Sequence, residues 1–411
     1  SLHLQQGPVL DHPWSGCLTK RIRKTITTYP ADLAIKDGSG MRLTYETMHS
    51  RSLSIMQILL EAGVSFGTPV AVACGPSVDT VCTLLAIWWI GAIYMPVDLM
   101  QGHQRLAHII DASRPAAIVC KGPLGQLETS HIAPVIQLPQ VLQPTTLGHQ
   151  DYADENSPAA LLHTSGSTGV PKGVLLSHRN LRCHFNATEQ AFPIGRQVVL
   201  QHSSHSFDAG LFQILLALLH GGTLVITNNL KEPGQLAELM LREHVSVVTA
   251  VPSEYALWIG EAGELLSELG SWRFAFCVGE KLSRATIQAF VSLGLPDLTL
   301  INAYGPCETT MACTMGVIDY ERVDGDSQSV SIGEPLSSYG IAILNPQLKS
   351  VPQGWPGEIC IAGAAVALGY LDVKDEEGRF VELDGVRLYR TGDRGRLRED
   401  GSLEYLGRVD G

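Results

Sequence analysis

The stretch "LLHTSGSTGVPKGVLLSH", Leu161 to His178, crowds Thr164, Ser165, Gly166, Ser167, Thr168, Gly169 and Gly173 around a single lysine, Lys172. Such a loop lets backbone N–H groups and hydroxyls converge on phosphate oxygens, while a lysine adds a mobile point charge. That is chemistry suited to a nucleoside triphosphate. It is not a Walker A loop, whose spacing is G-x-x-x-x-G-K-S/T, because Pro171 precedes and Gly173 follows the lysine. A Gly-rich surface turn without a ligand is the bland alternative, and the stretch alone does not separate the two.

On both sides of the loop, short β-rich runs alternate with helical ones. "PVAVAC" and "AAIVC" flank helix-like stretches before it; "TLVIT", "VSVVTAV", "RFAFCV" and "LTLINAYG" do so after it, separated by "QLAELMLREH" and "RATIQAFVSLG". This is the texture of α/β units built on buried, mainly parallel strands. From about residue 331 strands shorten and turns multiply, with Asp400-Gly401 as a hairpin signal. Two α/β lobes (about 1–195 and 196–330) and a smaller antiparallel β-barrel module (331–411) are expected.

The chain has 411 residues and a formal charge of −12, which argues against a nucleic-acid surface. Nine scattered cysteines without CxxC spacing read as reduced thiols of a cytoplasmic protein. The uncharged run Thr80–Val97 reaches the length of a membrane span, but Gly91 and Pro96 break it, so a buried helix followed by a strand is expected. The opening "SLHLQQGPVLDHPW" has neither a basic start nor an apolar run and suggests no signal peptide. His202 and His205 sit three apart without further ligands in view, and are read as packing residues.

"TSGSTGVPKG" resembles the phosphate-binding motif of the adenylate-forming superfamily, which holds acyl-CoA synthetases, luciferases and the adenylation domains of nonribosomal peptide synthetases. Seven further stretches are similar to that family's motifs, in order: "LTYETM" (43–48), "IWWIGAIYMPVD" (87–98), "SFDAG" (206–210), "NAYGPCETT" (302–310), "GEICIAGAAVALGYL" (357–371), "YRTGD" (389–393) and "GRVDG" (407–411). "QGPVLDHPW" and "LAIKDGSGMRLTYETM" are similar to the entry into adenylation domains of fungal synthetases, including polyketide–nonribosomal peptide hybrids. The resemblance implies a five-layer αβαβα core with the β-barrel module behind it.

It also implies a reaction in which a carboxylate attacks the α-phosphate of ATP, with Mg²⁺, and pyrophosphate leaves. Positioning and charge neutralisation then carry most of the rate. By resemblance, Thr164, Ser165, Gly166, Ser167, Thr168, Gly169 and Lys172 cradle the departing phosphates, with Lys172, Thr168 and Glu308 catalytic. Tyr304 stacks on adenine and Asn302 meets its edge, with Ala303, Gly305, Thr309, Gly279 and Glu280 nearby. Glu308 offers a hard oxygen to Mg²⁺, Asp393 accepts both ribose hydroxyls, and Arg408 lies beside ribose and phosphate.

Asp208, after Phe207, matches the aspartate that pairs with an α-ammonium group in amino-acid-activating members; a buried carboxylate without a cation would be costly. A helix-capping role is the structural alternative. The implied side-chain pocket, Ala209, Phe212, Thr249, Ala275, Cys277, Ala303, Met311 and Ala312, carries no charge, so an aromatic or branched aliphatic α-amino acid is expected. Four departures stand out: Cys307 for threonine, Val278 for glycine, His163 for tyrosine and Gly210 for serine. Asp410 resembles a hinge leading to a smaller C-terminal subdomain that supplies a further lysine. Without that subdomain the chain is expected to be monomeric and to turn over slowly. Carrier-protein phosphopantetheine and a condensation domain are the implied partners. An acyl- or aryl-CoA synthetase and a catalytically silent binding module are the rival readings.

Overall fold

The structure is a computed structural model describing residues 2–124, 129–165, 171–228, 230, 232–320, 330–371 and 378–409. Three sheets organise it. The first has seven strands in the order 369–370, 171–177, 158–165, 93–96, 69–73, 117–120 and 135–137. The five strands from 158–165 through 135–137 run parallel, 171–177 pairs antiparallel with 158–165, and 369–370 pairs antiparallel with 171–177. The second has nine, in the order 334–335, 314–317, 299–304, 274–277, 247–250, 198–201, 223–226, 33–37 and 42–44. Its centre is parallel and its two ends antiparallel. The third is a curled antiparallel sheet of six strands, in which Val386–Leu397 runs long enough to pair with three neighbours.

Sheet membership crosses the expected boundaries near 195 and 331. Strands 33–37 and 42–44 finish the edge of the second sheet, Gly369–Tyr370 joins the first, and Gln5–Gln6 pairs with the third. The local patterns explain why these elements form. Val78–Ile90 is buried throughout and, beyond the ion-paired Asp79 in its first turn, uncharged, as a helix sandwiched between sheets must be. It ends at Gly91, whose φ of 75° only glycine adopts without strain, and the chain turns directly into the strand Ile93–Pro96. No described helix is long and apolar enough to cross a membrane. One apolar cluster joins residues of all three sheets, Val72, Phe276 and Ile341 among them, so the site lies on a continuous core.

Candidate functional site

The strand Thr299–Tyr304 carries "NAY" to its carboxyl end, where a cavity of about 260 Å³ opens. Asn302, Ala303, Tyr304, Gly305, Gly279, Glu280 and Asp393 all line it, together with Tyr405, Leu282 and Ile332. Crevices outside the carboxyl ends of parallel strands are where open α/β sheets bind ligands. Asn302 Nδ2 donates to the carbonyl of Ser331 at 2.8 Å, and Glu280 accepts from the Ser253 N–H at 3.2 Å. Tyr304 and Tyr405 stand with ring centroids 6.1 Å apart, tilted by 43°. Tyr304 donates to Asp393 Oδ2 at 2.6 Å, while Arg408 Nη1 reaches Asp393 Oδ1 at 2.9 Å and the Thr391 carbonyl at 3.1 Å. Burial above all, then the charge of Asp393, pushes the Tyr304 phenol well up, keeping it a donor.

The antiparallel strands Pro158–Ser165 and Pro171–Ser177 flank the Gly-rich segment. Thr164 pairs with Lys172 and Ser165 with Pro171; Gly166, Ser167, Thr168 and Gly169 lie outside the described residues, as does Asp410. Gly369–Tyr370 adds antiparallel to the strand Pro171–Ser177, Tyr370 opposite Val174. That register lays the Tyr370 ring under the Lys172 ammonium, 5.5 Å from its centroid, while the Tyr370 hydroxyl donates to Glu308 Oε1 at 2.9 Å and lies 3.3 Å from Tyr389 Oη. The loop preceding Tyr370 is clamped from two sides. Asn180 Nδ2 donates to the carbonyls of Ala364 and Val366, and the Thr310 hydroxyl to that of Ala365. Glu308 is buried, and its own carbonyl accepts from the Ala367 N–H at 2.8 Å. Thr309 is buried away from the cavity, its hydroxyl donating to Pro306 at 3.0 Å.

Asp208 opens the helix Asp208–Leu218. Phe207, mostly exposed, holds the capping position; the Asp208 carboxylate accepts from the neighbouring Ala209 N–H at 2.8 Å. Burial pushes its carboxyl up to about 6, and nearby negative Glu308 adds to this. Among the described residues it has no ion-pair partner. It stands at a second, smaller cavity of about 30 Å³, lined also by Ala209, Phe212, Thr249, Met311 and Ala312, and by His184, Phe276, Val278 and Met315.

Ala275 and Cys277 do not line that cavity. Side chains alternate along a strand, and in Phe274–Cys277 these two face the opposite side, joining Val248, Ala250 and Leu300 in a separate apolar cluster. Phe276 pairs with Thr249 and shares its face. Ala303 lines the larger cavity instead of the smaller one. Met311 and Thr310 both have positive φ, 69° and 60°, an uncommon conformation for residues with side chains. Tyr339 Oη holds the kink by donating to the Thr309 and Thr310 carbonyls at 3.0 and 3.2 Å.

Of the four departures, Cys307 is the one nearest the chemistry: burial, then the charges of Asp208 and Glu308, pushes its thiol far up and keeps it neutral. His163 Nε2 contacts Ser113 Oγ at 2.9 Å. A Cβ on Gly210 would meet the Ser204 carbonyl oxygen at 2.6 Å, so the loop before this helix closes onto the glycine. His202 bonds Glu254 at 3.3 Å and packs edge-on to Trp258; among the described residues no group of three metal-ligating side chains gathers.

A family model for AMP-binding enzymes matches residues 22–371. The chain belongs to the AMP-binding enzyme family. This AMP-binding enzyme is similar to the PKS-NRPS hybrid synthetase psoA of Aspergillus fumigatus, 37% identical over 99% of the chain, and to mpsA of Macrophomina phaseolina, 38% identical over 98%. It spans about a tenth of their length, 11% and 10% respectively. The solved nonribosomal peptide synthetase FmoA3 superposes with a TM-score of 0.89 at 26% identity, covering 98% of this chain and 43% of that one. FmoA3 has also been solved bound to AMPPNP and to α-methyl-L-serine-AMP.

In this AMP-binding enzyme, the residues that sequence reasoning missed are Phe276, Val278, His184 and Met315 at the smaller cavity, Tyr405 at the larger one, and Tyr370 and Tyr389 beside Glu308. The alternation within "RFAFCV" was the available signal for the first two, once Thr249 was placed. Tyr370 and Tyr389 stood inside motifs already singled out, but nothing local marks which tyrosine reaches a carboxylate 62 residues away.

Proposed function

We propose that this domain activates an α-amino acid with a hydrophobic, aromatic or branched aliphatic side chain. It forms the aminoacyl-AMP from ATP and Mg²⁺, releases pyrophosphate, and hands the acyl group to a carrier-protein phosphopantetheine thiol in a cytoplasmic multidomain synthetase. The observation that carries the reading is Asp208, a buried carboxylate that lines an otherwise uncharged cavity with no described cation to meet it. An incoming α-ammonium supplies that charge, and the exchange of a costly lone carboxylate for an ion pair favours amino acids over plain carboxylic acids. Asp393 and Arg408 fit a ribose with two hydroxyls, because each carboxylate oxygen keeps a lone pair beyond the bond it already accepts. The Glu308 carboxylate fits Mg²⁺, a hard cation that takes oxygen ligands, and Lys172 fits the departing phosphates. The domain division near 195 and 331, the role of residues 166–169 and the hinge at Asp410 belong to the same reading.

The test is a thermal-shift panel with non-hydrolysable acyl-sulfamoyl adenosines, since a ligand that binds only the folded state raises the melting temperature. Stabilisation by an aminoacyl analogue, lost in Asp208→Ala, supports the reading. Equal stabilisation by amino-free acyl analogues transfers it to an acyl- or aryl-CoA synthetase, and no stabilisation by any adenylate makes the chain a silent binding module.

A further inference from the structure

The loop that Asn180 and Thr310 hold has a third grip, and it comes from the third sheet. Arg387 donates from Nη1 to the Ala367 carbonyl at 2.7 Å and from Nη2 to the Leu368 carbonyl at 3.1 Å. A guanidinium suits two neighbouring carbonyls because its donors form a rigid fork. The same group stands over the Phe380 ring, 4.6 Å from the centroid. Strand pairing explains the placement: Phe380 lies opposite Tyr389 and Glu382 opposite Arg387, so with alternating side chains Phe380, Tyr389 and Arg387 share one face. Among the described residues Arg387 makes no ion pair, even with its cross-strand neighbour Glu382. Its charge goes to the two carbonyls and the ring.

From Phe380 the contacts run on to Lys172. The Phe380 ring meets Tyr370 edge-on, with centroids 5.3 Å apart at 71°, and Tyr389 at 5.0 Å and 55°. Tyr370 in turn lies under the Lys172 ammonium. Two cations thus bracket one aromatic stack, Lys172 on Tyr370 and Arg387 on Phe380. The backbone is tied along the same line: the Leu368 N–H donates to the Leu175 carbonyl at 2.9 Å and the Leu371 N–H to that of Gly173 at 2.8 Å. Both acceptors belong to the strand that carries Lys172. Gly369–Tyr370, between those bonds, is only two residues long, so what flanks it decides where the Tyr370 ring stands.

We infer that Arg387 is a positioning residue for triphosphate binding. It does not line the larger cavity; through the segment 367–371 and the Phe380–Tyr370 stack it sets where the Lys172 ammonium stands. The inference rests on the reading that Lys172 meets the departing phosphates. An ammonium on a flexible stem acts on phosphate as a point charge, so a supporting ring displaced by about 1 Å changes what it reaches.

Calorimetric titration of the chain with a non-hydrolysable ATP analogue and with AMP tests this, both without Mg²⁺ so that Glu308 has no metal to orient. Arg387→Ala should weaken binding of the ATP analogue about three- to tenfold, the scale of a cation–π support lost, and leave AMP within about twofold. A loss of packing alone would not separate the two nucleotides. In a Lys172→Met background the same substitution should weaken the ATP analogue by less than about a further twofold, because residues that act through one another are not additive. Phe380→Leu, which keeps apolar bulk but removes the stacked face, should repeat the selective loss, and it serves as the test if thermal unfolding shows that Arg387→Ala does not fold. Equal losses for both nucleotides, no loss for either, or an undiminished loss in the Lys172→Met background overturns the inference. A Lys172→Met chain that binds the ATP analogue as tightly as the wild type overturns the phosphate reading of Lys172 instead.

Discussion

Tyr304 and Asp393, 89 residues apart and on different sheets, meet through a 2.6 Å hydrogen bond in which the phenol donates to Oδ2. The bond joins the second and third sheets at the cavity, and Arg408 holds the other carboxylate oxygen from the adjoining strand. Asp393→Asn should weaken AMP binding about tenfold, the scale of a charge-assisted hydrogen bond of about 1.5–3 kcal/mol partly replaced by a neutral one. Titration with AMP and with its 2′- and 3′-deoxy forms checks it: the variant should lose most of the wild type's preference for the intact ribose.

On the proposed amino-acid reading, Asp208 should make aminoacyl binding pH-dependent. Its carboxyl lies at about 6 in the unliganded fold, above the ordinary aspartate value. Below pH 6 the group is neutral and offers nothing to an ammonium; above it the anion is present and the pair forms. Affinity for an aminoacyl-sulfamoyl adenosine should therefore rise about tenfold per pH unit up to about 6 and then level off. The amino-free analogue should show no such rise. In the free chain the linkage runs the other way: the contribution of the raised carboxyl to stability is full below the ordinary aspartate value of about 3.8 and is lost as pH climbs from there through about 6.

Lys172 should matter for the triphosphate and not for the monophosphate. Lys172→Met should lower affinity for ATP or a non-hydrolysable analogue by about tenfold or more while leaving AMP binding within about twofold, because a lysine acts on phosphate as a point charge whose reach is short. Parallel titrations with the two nucleotides decide it; equal losses would place the lysine elsewhere.

Glu308 takes the Tyr370 hydroxyl as a donor at 2.9 Å. Tyr370→Phe removes that bond but keeps the ring under Lys172. On the proposed reading, in which Glu308 takes Mg²⁺, the Mg²⁺ concentration needed for half-maximal pyrophosphate exchange should shift by about three- to tenfold, the effect of one hydrogen bond on a carboxylate's orientation. Mg²⁺ titration of the exchange rate reads the shift.

Gly210→Ser should destabilise the chain by about 1–3 kcal/mol, since its Cβ meets the Ser204 carbonyl and the loop must move. Thermal unfolding should show a drop of a few degrees, and aminoacyl analogues should bind more weakly because the same loop leads into Asp208.

Much of this molecule could be read from the chain by local means. The Gly91 and Pro96 breakers divided an apolar run correctly into helix and strand, and "LTLINAYG" read as a strand, which the structure has at Thr299–Tyr304. What failed was parity: Ala275 and Cys277 were assigned to the cavity although a strand turns every second side chain away, and Phe276 and Val278 took their place. Sheet membership was also hidden. Nothing in "LAIKD" shows that it pairs with a strand beginning at Thr223, because pairing between distant strands follows from packing the finished core.

The strand Gln5–Gln6 finds its partners in Ile341 and Gly340. On a ribosome adding about 5–20 residues per second, those partners emerge roughly 20–70 seconds after the strand itself. Through that interval the opening segment has no sheet to join, and the loop it finally closes is among the longest in the chain, an entropic debt that is settled only when the last third is made. The third sheet is thus a clasp. Until it forms, the first residues are held by little more than their contacts with the helix His178–Ala191, where Asn186 bonds Trp14 and Gln190 bonds Asp11 and Val9.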